Sequence, residues 1–115
     1  DLILLGERLF HDARLSSNGS IACANCHPIP NAGADGLALS SGVGGVLGDM
    51  NSPTVFNSGY NLAQFWDGRA ETLEDQVDGP VTNPLEMAGS WPEAIAKLEQ
   101  DATLSAAFRK VFDRP

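Results

Sequence analysis

Both cysteines of this 115-residue chain fall in one run, Cys23-Ala-Asn-Cys26-His27. No other feature constrains the fold as strongly. Two thiols at this spacing with an imidazole close behind are what covalent haem attachment requires. The thiols add across the two vinyl groups, and the imidazole reaches the iron from the same side. Three other readings compete. A thioredoxin-like pair needs a βαβ context, and no alternating strand pattern of useful length occurs. A structural zinc site needs four ligands, and beyond the run the only nitrogen candidate is His11. A disulfide across two residues closes a ring too small to stabilise much. The expectation is one covalent haem c, with Cys23 and Cys26 as its tethers and His27 as an iron ligand.

A haem is a large apolar body to fold around, so a chain with 43% apolar and only 7% aromatic residues has enough to form one domain over residues 1–115. The net charge of −8 argues against nucleic acid, which requires a basic face, and against anionic membrane surfaces. An acidic exterior suits basic redox partner proteins. No apolar run approaches the roughly 20 residues that span a bilayer. The sequence starts at Asp1 without a basic n-region or cleavage site, so any signal peptide is expected to have been removed. Covalent haem attachment itself implies export, to the bacterial periplasm or an equivalent compartment.

Leu2, Leu5 and Leu9 recur at helical spacing and predict a first helix ending before "HDARLSSNGS". A short helical turn is expected to carry the cysteines. From Pro28 to about Asn57 the glycines predict a long loop. Helical patterning resumes at "AETLEDQV", where Thr72 and Asp75 are placed as a capping box with Leu73 and Val77 on one face. In "SWPEAIAKLEQ", Ser90 and Glu93 stand in the same relation, ahead of Ile95 and Leu98. "DATLSAAFRKVF" sets Leu104, Phe108 and Val111 on one stripe. The fold expected is all-α, with four or five short helices and long Gly/Pro-rich loops around one haem.

The blocks "LGERLFHDARLSSNGSIACANCH", "NSPTVFN", "AQFWDGRAETLEDQ" and "NPLEM" together resemble the N-terminal haem domain of the bacterial di-haem cytochrome c peroxidases, the family that includes the MauG-type enzymes. The resemblance implies a cytochrome c-like helical fold in the periplasm. In that family peroxide reacts at the N-terminal haem, and a C-terminal domain with a second haem stores the other electron. Cys23 and Cys26 match the thioether cysteines and His27 the proximal ligand. Gln76 and Glu86 match two polar residues of the peroxide pocket, the glutamate serving as acid–base. Trp66 matches the tryptophan placed between the haems, and Asn51 a residue near an inter-domain calcium. Because the other calcium ligands lie in the second domain, calcium binding is expected to be weak or absent. Two departures matter. Val43 stands where the family usually has a distal histidine, and no second haem domain lies within these residues.

Valine cannot ligate iron, so the second face of the iron has other candidates. His11 reads as a structural histidine. Thioether sulfur opposite histidine is a standard axial pair, and Met50, in the loop that lost its histidine, is the expected distal ligand, with Met87, which follows Glu86, as the alternative. Either methionine could instead be core filler, and the iron could be open. Two functions follow. One is a mono-haem cytochrome carrying electrons, favoured because two-electron peroxide reduction is poorly supplied by one ferric haem. The other is a peroxidase domain that needs a partner haem, in which Glu86 moves the proton of peroxide. A haem-based gas sensor ranks third and rests only on the open iron.

Overall fold

The computed structural model describes residues 1–113, and among them the regular structure is helical. In chain order the helices are α1 (Leu2–Phe10), α2 (Cys23–Cys26), α3 (Leu73–Gln76), α4 (Asp78–Thr82), α5 (Trp91–Glu99) and α6 (Ala102–Phe112), with four short 3-10 turns between them. The all-α expectation holds, with one more helix than the sequence pattern suggested. The extra one comes from α3 and α4, which are separated only by Val77, itself helical at φ −62° and ψ −26°. Pro80 lacks the N–H that would bond to the Gln76 carbonyl, so the ladder breaks there while the chain keeps its direction. Among the described residues, strand-like pairing is confined to two isolated antiparallel bridges, Ser41 with Leu47 and Gln64 with Ala70.

Helix α3 starts as its sequence predicts. Thr72 Oγ1 accepts from the Asp75 N–H at 3.1 Å, and Asp75 Oδ2 accepts from the Thr72 N–H at 3.2 Å. The matching expectation at Ser90 and Glu93 fails, because Ser90 precedes α5 without a side-chain cap bond. Pro92 already fills the first turn of α5, where a proline fits best and one N–H needs no partner. The inward face of α5 differs too. Ala94 and Leu98 face the core, whereas Ile95 is half exposed.

Leu15, Val81, Met87 and Ala94 are buried together, with Ile21, Val77, Trp91 and Leu98 packed around them. Helix α6 buries Leu104 completely and lies against α1 and α5. This small core holds the two ends of the chain around the segment that delivers Cys23. Lys97 of α5 reinforces that grip by donating to the carbonyls of Ser16 at 2.7 Å and Ser17 at 2.9 Å.

Asp12 and Arg14 pin the same region. The Arg14 guanidinium donates to both Asp12 oxygens and also reaches Asp101 at 3.2 Å. Hydrogen bonding from Arg14 holds the Asp12 carboxyl below its usual range, although partial burial opposes the shift. A carboxyl depressed in the folded state adds stability that is full above its unfolded pKa of about 4 and is lost as pH falls through the lowered value. Asp12→Asn keeps an acceptor for the Arg14 N–H but removes the charge. It should lower the melting temperature at pH 7, and the gap from the parent should close as pH falls from the ordinary carboxylate range through the lowered value. Melting curves across that range provide the check, and a gap independent of pH would contradict it.

Candidate functional site

Helix α2 is a single turn whose first residue is Cys23 and whose last is Cys26. The Asn25 side chain reaches back to accept from the Ala22 N–H at 2.7 Å, closing the turn on itself. One helical turn brings the two thiols to the same side. Both cysteines are free thiols and partly buried. Burial pushes the Cys23 thiol up. It pushes Cys26 up as well, and the negative charges of Asp35 and Glu86 add to the effect.

His27 leaves the helix, its N–H bonded to the Cys23 carbonyl at 2.9 Å. Its Nδ1 lies 3.1 Å from the Gly33 carbonyl oxygen. A carbonyl can only accept, so Nδ1 carries the proton and Nε2 keeps its lone pair. That is the tautomer a metal-ligating imidazole needs, fixed by the bond its other nitrogen makes. Gly33 is placed for this by its left-handed backbone at φ +71°, and its Cβ position would come within 2.8 Å of Val55 Cγ2. The same carbonyl also accepts the Val55 N–H at 3.1 Å. Thus "CANCH" and "NSPTVFN", far apart in the chain, meet at one peptide group.

The loop between them is folded back on itself. Gly42 N–H donates to the Val46 carbonyl at 2.7 Å and Gly48 N–H to the Ser40 carbonyl at 2.8 Å. The hydroxyls of Ser40 and Ser52 are 2.6 Å apart, and the Cys26 thiol lies 3.9 Å from the Ser41 carbonyl oxygen between them. Along this stretch Leu37, Leu39, Leu47, Met50 and Phe56 keep much of their apolar surface exposed. Exposed apolar surface on this scale marks a binding face. Thiols on one side of a helical turn, an imidazole with a free Nε2 and an apolar surround are a donor set that fits a covalently held haem.

The remaining expected site residues are distributed unevenly. Val43 is half buried, and its N–H donates to the Glu86 carbonyl at 2.7 Å. Glu86 is half buried, accepts from Asn83 Nδ2 at 3.0 Å and acts electrostatically on Cys26. The structure therefore brings Glu86, Val43 and the cysteine turn together. Met50 is half exposed on the loop that follows Gly48. Met87 is only 3% exposed and packs among Leu15, Val81 and Ala94, which is core rather than crevice. Gln76 is half buried at the end of α3. Trp66 is exposed, and its indole Nε1–H donates to the Asn51 carbonyl at 3.0 Å. His11 is exposed at the end of α1, its Nδ1 3.0 Å from the Glu7 carbonyl. An open groove of about 460 Å³ runs beside it, lined by Leu4, Glu7 and Arg8 among others. That groove touches none of the cysteine turn. The sequence reading missed Gly33, Gly42, Ser40 and Ser52. The crowding of glycines around them signalled a loop but not where the loop would touch.

Comparison with known proteins identifies the family and fold. The chain is 54% identical over 111 residues to cytochrome c peroxidase Ccp of Escherichia coli (strain K12), an alignment covering 96% of this chain and 24% of that protein. It is 44% identical over 112 residues to cytochrome c551 peroxidase of Nitrosomonas europaea, covering 97% of this chain and 34% of that one. The chain thus spans about a quarter to a third of the length of these relatives. Among solved structures, a MauG-like protein associated with microbial copper homeostasis superposes with a TM-score of 0.88 at 34% identity, over 96% of this chain and 33% of the other. Superposition at that level carries the cytochrome c-like helical fold over to this chain. The model of the di-haem cytochrome c peroxidase family matches residues 1–115 from end to end, and the chain belongs to that family.

Proposed function

We propose that this chain holds one c-type haem, tethered through Cys23 and Cys26 and ligated by His27, and that it carries electrons through that haem in the bacterial periplasm. The observation that supports it most is the bond between His27 Nδ1 and the Gly33 carbonyl, which leaves Nε2 as an iron donor. When bound, the haem supplies an iron redox couple and, where its second face is open, a place for peroxide to be reduced. The chain's own contribution is to hold the imidazole in one tautomer and to shield the group with apolar loop residues. Among the described residues no helix is long and apolar enough to cross a membrane. The net charge of −8 suits basic redox proteins as partners.

A second reading has its own support. The relatives are named as peroxidases, and Glu86 is tied through its carbonyl to Val43, the position facing the iron's second side in the resembling family. In that reading Glu86 holds and moves a proton at its carboxylate, Gln76 is its polar companion, and a second haem outside these residues supplies the other electron.

Both readings need a covalent haem. Thioether bonds survive unfolding and iron ligation does not. The intact mass after acid–acetone extraction should therefore exceed the chain mass by one haem. In Cys23→Ser/Cys26→Ser it should fall to the chain mass. A parent protein with the bare chain mass would overturn the assignment.

A further inference from the structure

The segment presenting Trp66 is held in a conformation that a bulky residue rarely adopts. Gln64 N–H donates to the Ala70 carbonyl at 2.8 Å, and both residues are buried, which closes the base of a small loop. At its first free position Phe65 has φ +64°. For an aromatic residue that left-handed backbone is strained, and such strain persists only when the surroundings enforce it. Two neighbours do so. The Arg69 guanidinium carbon lies 3.5 Å from the centroid of the Phe65 ring. At another point of the ring is Gly79 of α4, where an added Cβ would come within 2.8 Å of Phe65 Cζ. Arg69 is itself steadied by Asp67 at 3.0 Å.

We infer that Arg69 and Gly79 are positioning residues for Trp66: they clamp the Phe65 ring, and the clamp keeps the backbone turned so that the neighbouring indole stands out of the protein. Cation–π attraction supplies one jaw. The missing side chain of Gly79 supplies the space for the other. Released from the clamp, Phe65 relaxes to an extended backbone, the peptide joining it to Trp66 rotates, and the indole loses its bond to the Asn51 carbonyl. The functional weight of this device rests on the proposed electron-carrying function together with a further step, a relay of electrons by way of Trp66, the residue that matches the tryptophan between the haems of the resembling family. The clamp itself does not.

The test uses the haem-loaded protein with 15N-labelled tryptophan in its diamagnetic ferrous carbonyl form, and follows exchange of the Trp66 indole N–H. Trp91→Phe identifies the resonance. Arg69→Met keeps the aliphatic stem and removes the cation. It should speed exchange about tenfold, as expected when a bulky residue is no longer held left-handed. Arg69→Lys should retain the slow exchange. Adding Phe65→Gly to Arg69→Met should restore it, because glycine takes this backbone without a clamp. Gly79→Ala should behave like Arg69→Met. Unchanged exchange in Arg69→Met, or failure of Phe65→Gly to restore it, would overturn the inference. The rate of electron transfer is measured separately in Trp66→Phe. An unchanged rate there would end the relay reading and leave the clamp standing.

Discussion

Met87→Ala should cost the haem-loaded protein about 3 kcal/mol of stability and leave its optical spectrum unchanged, whereas Met50→Ala should do the reverse. Met87 is 3% exposed among Leu15, Val81 and Ala94, so truncation leaves a cavity where the two ends of the chain meet. Its backbone stays occupied, receiving the Ser17 N–H at 2.9 Å and donating to the Pro80 carbonyl at 3.1 Å. The loss is therefore one of packing. Met50 is half exposed on a glycine-rich loop, and truncating it removes little apolar contact. If its sulfur is the second axial ligand, as the sequence leads one to expect, the ferric parent is low-spin with a weak sulfur-to-iron band toward the red. Met50→Ala should abolish that band and admit cyanide or peroxide. Denaturant curves and spectra of both variants test the pair. Loss of the band in Met87→Ala would transfer the ligand to that residue. A parent that is already high-spin would remove both methionines and raise the peroxidase reading above the carrier.

Gly42→Ala is the second large effect expected. A Cβ at this position would lie 2.1 Å from the Leu85 carbonyl oxygen and 2.5 Å from that of Glu86. Both obstacles are backbone, so no side chain can swing aside, and the loop must lift from residues 85–86. That breaks the bond from Val43 N–H to the Glu86 carbonyl. Overpacking with a lost buried hydrogen bond should destabilise by about 2–4 kcal/mol. Binding of cyanide should change along with stability, because the loop and Glu86 move apart. Gly48→Ala is the control, since its Cβ would meet nothing nearer than the Ser40 carbonyl at 3.4 Å. Melting curves and cyanide titrations of the two variants make the comparison. Equal stability in both would mean that the loop is not anchored at Gly42.

The contrast between those two glycines shows what the sequence could and could not disclose. Helix starts are governed by residues three apart, so the reciprocal bonds of Thr72 and Asp75 were legible. The cysteine run is local as well, and the single helical turn that carries Cys23 and Cys26 ahead of His27 could be read from their spacing. Even local rules fail where they compete, as when Pro92 satisfies the first turn of α5 and leaves Ser90 without a capping role. Gly42 against Leu85, or Gly33 against Val55, are contacts between distant segments. Nothing in the one segment encodes the other, and a glycine in a loop looks the same whether it faces solvent or a carbonyl. Which of Met50 and Met87 sits in the core was not legible in the sequence for the same reason. Burial separates them, and burial is a property of the whole fold.

The carbonyl of Gly33 receives two donors, His27 Nδ1–H and Val55 N–H, both at 3.1 Å. They draw on the same oxygen, so each limits how strongly the other can bond. A shift that draws Val55 away leaves the oxygen a better acceptor for the imidazole proton. The ring then gains anionic character and becomes a stronger donor at Nε2. With a haem iron held as proposed, a stronger donor would favour ferric over ferrous iron. Its reduction potential would then act as a gauge of where the "NSPTVFN" segment sits, and a partner pressing on that segment would adjust the driving force for the electron exchanged.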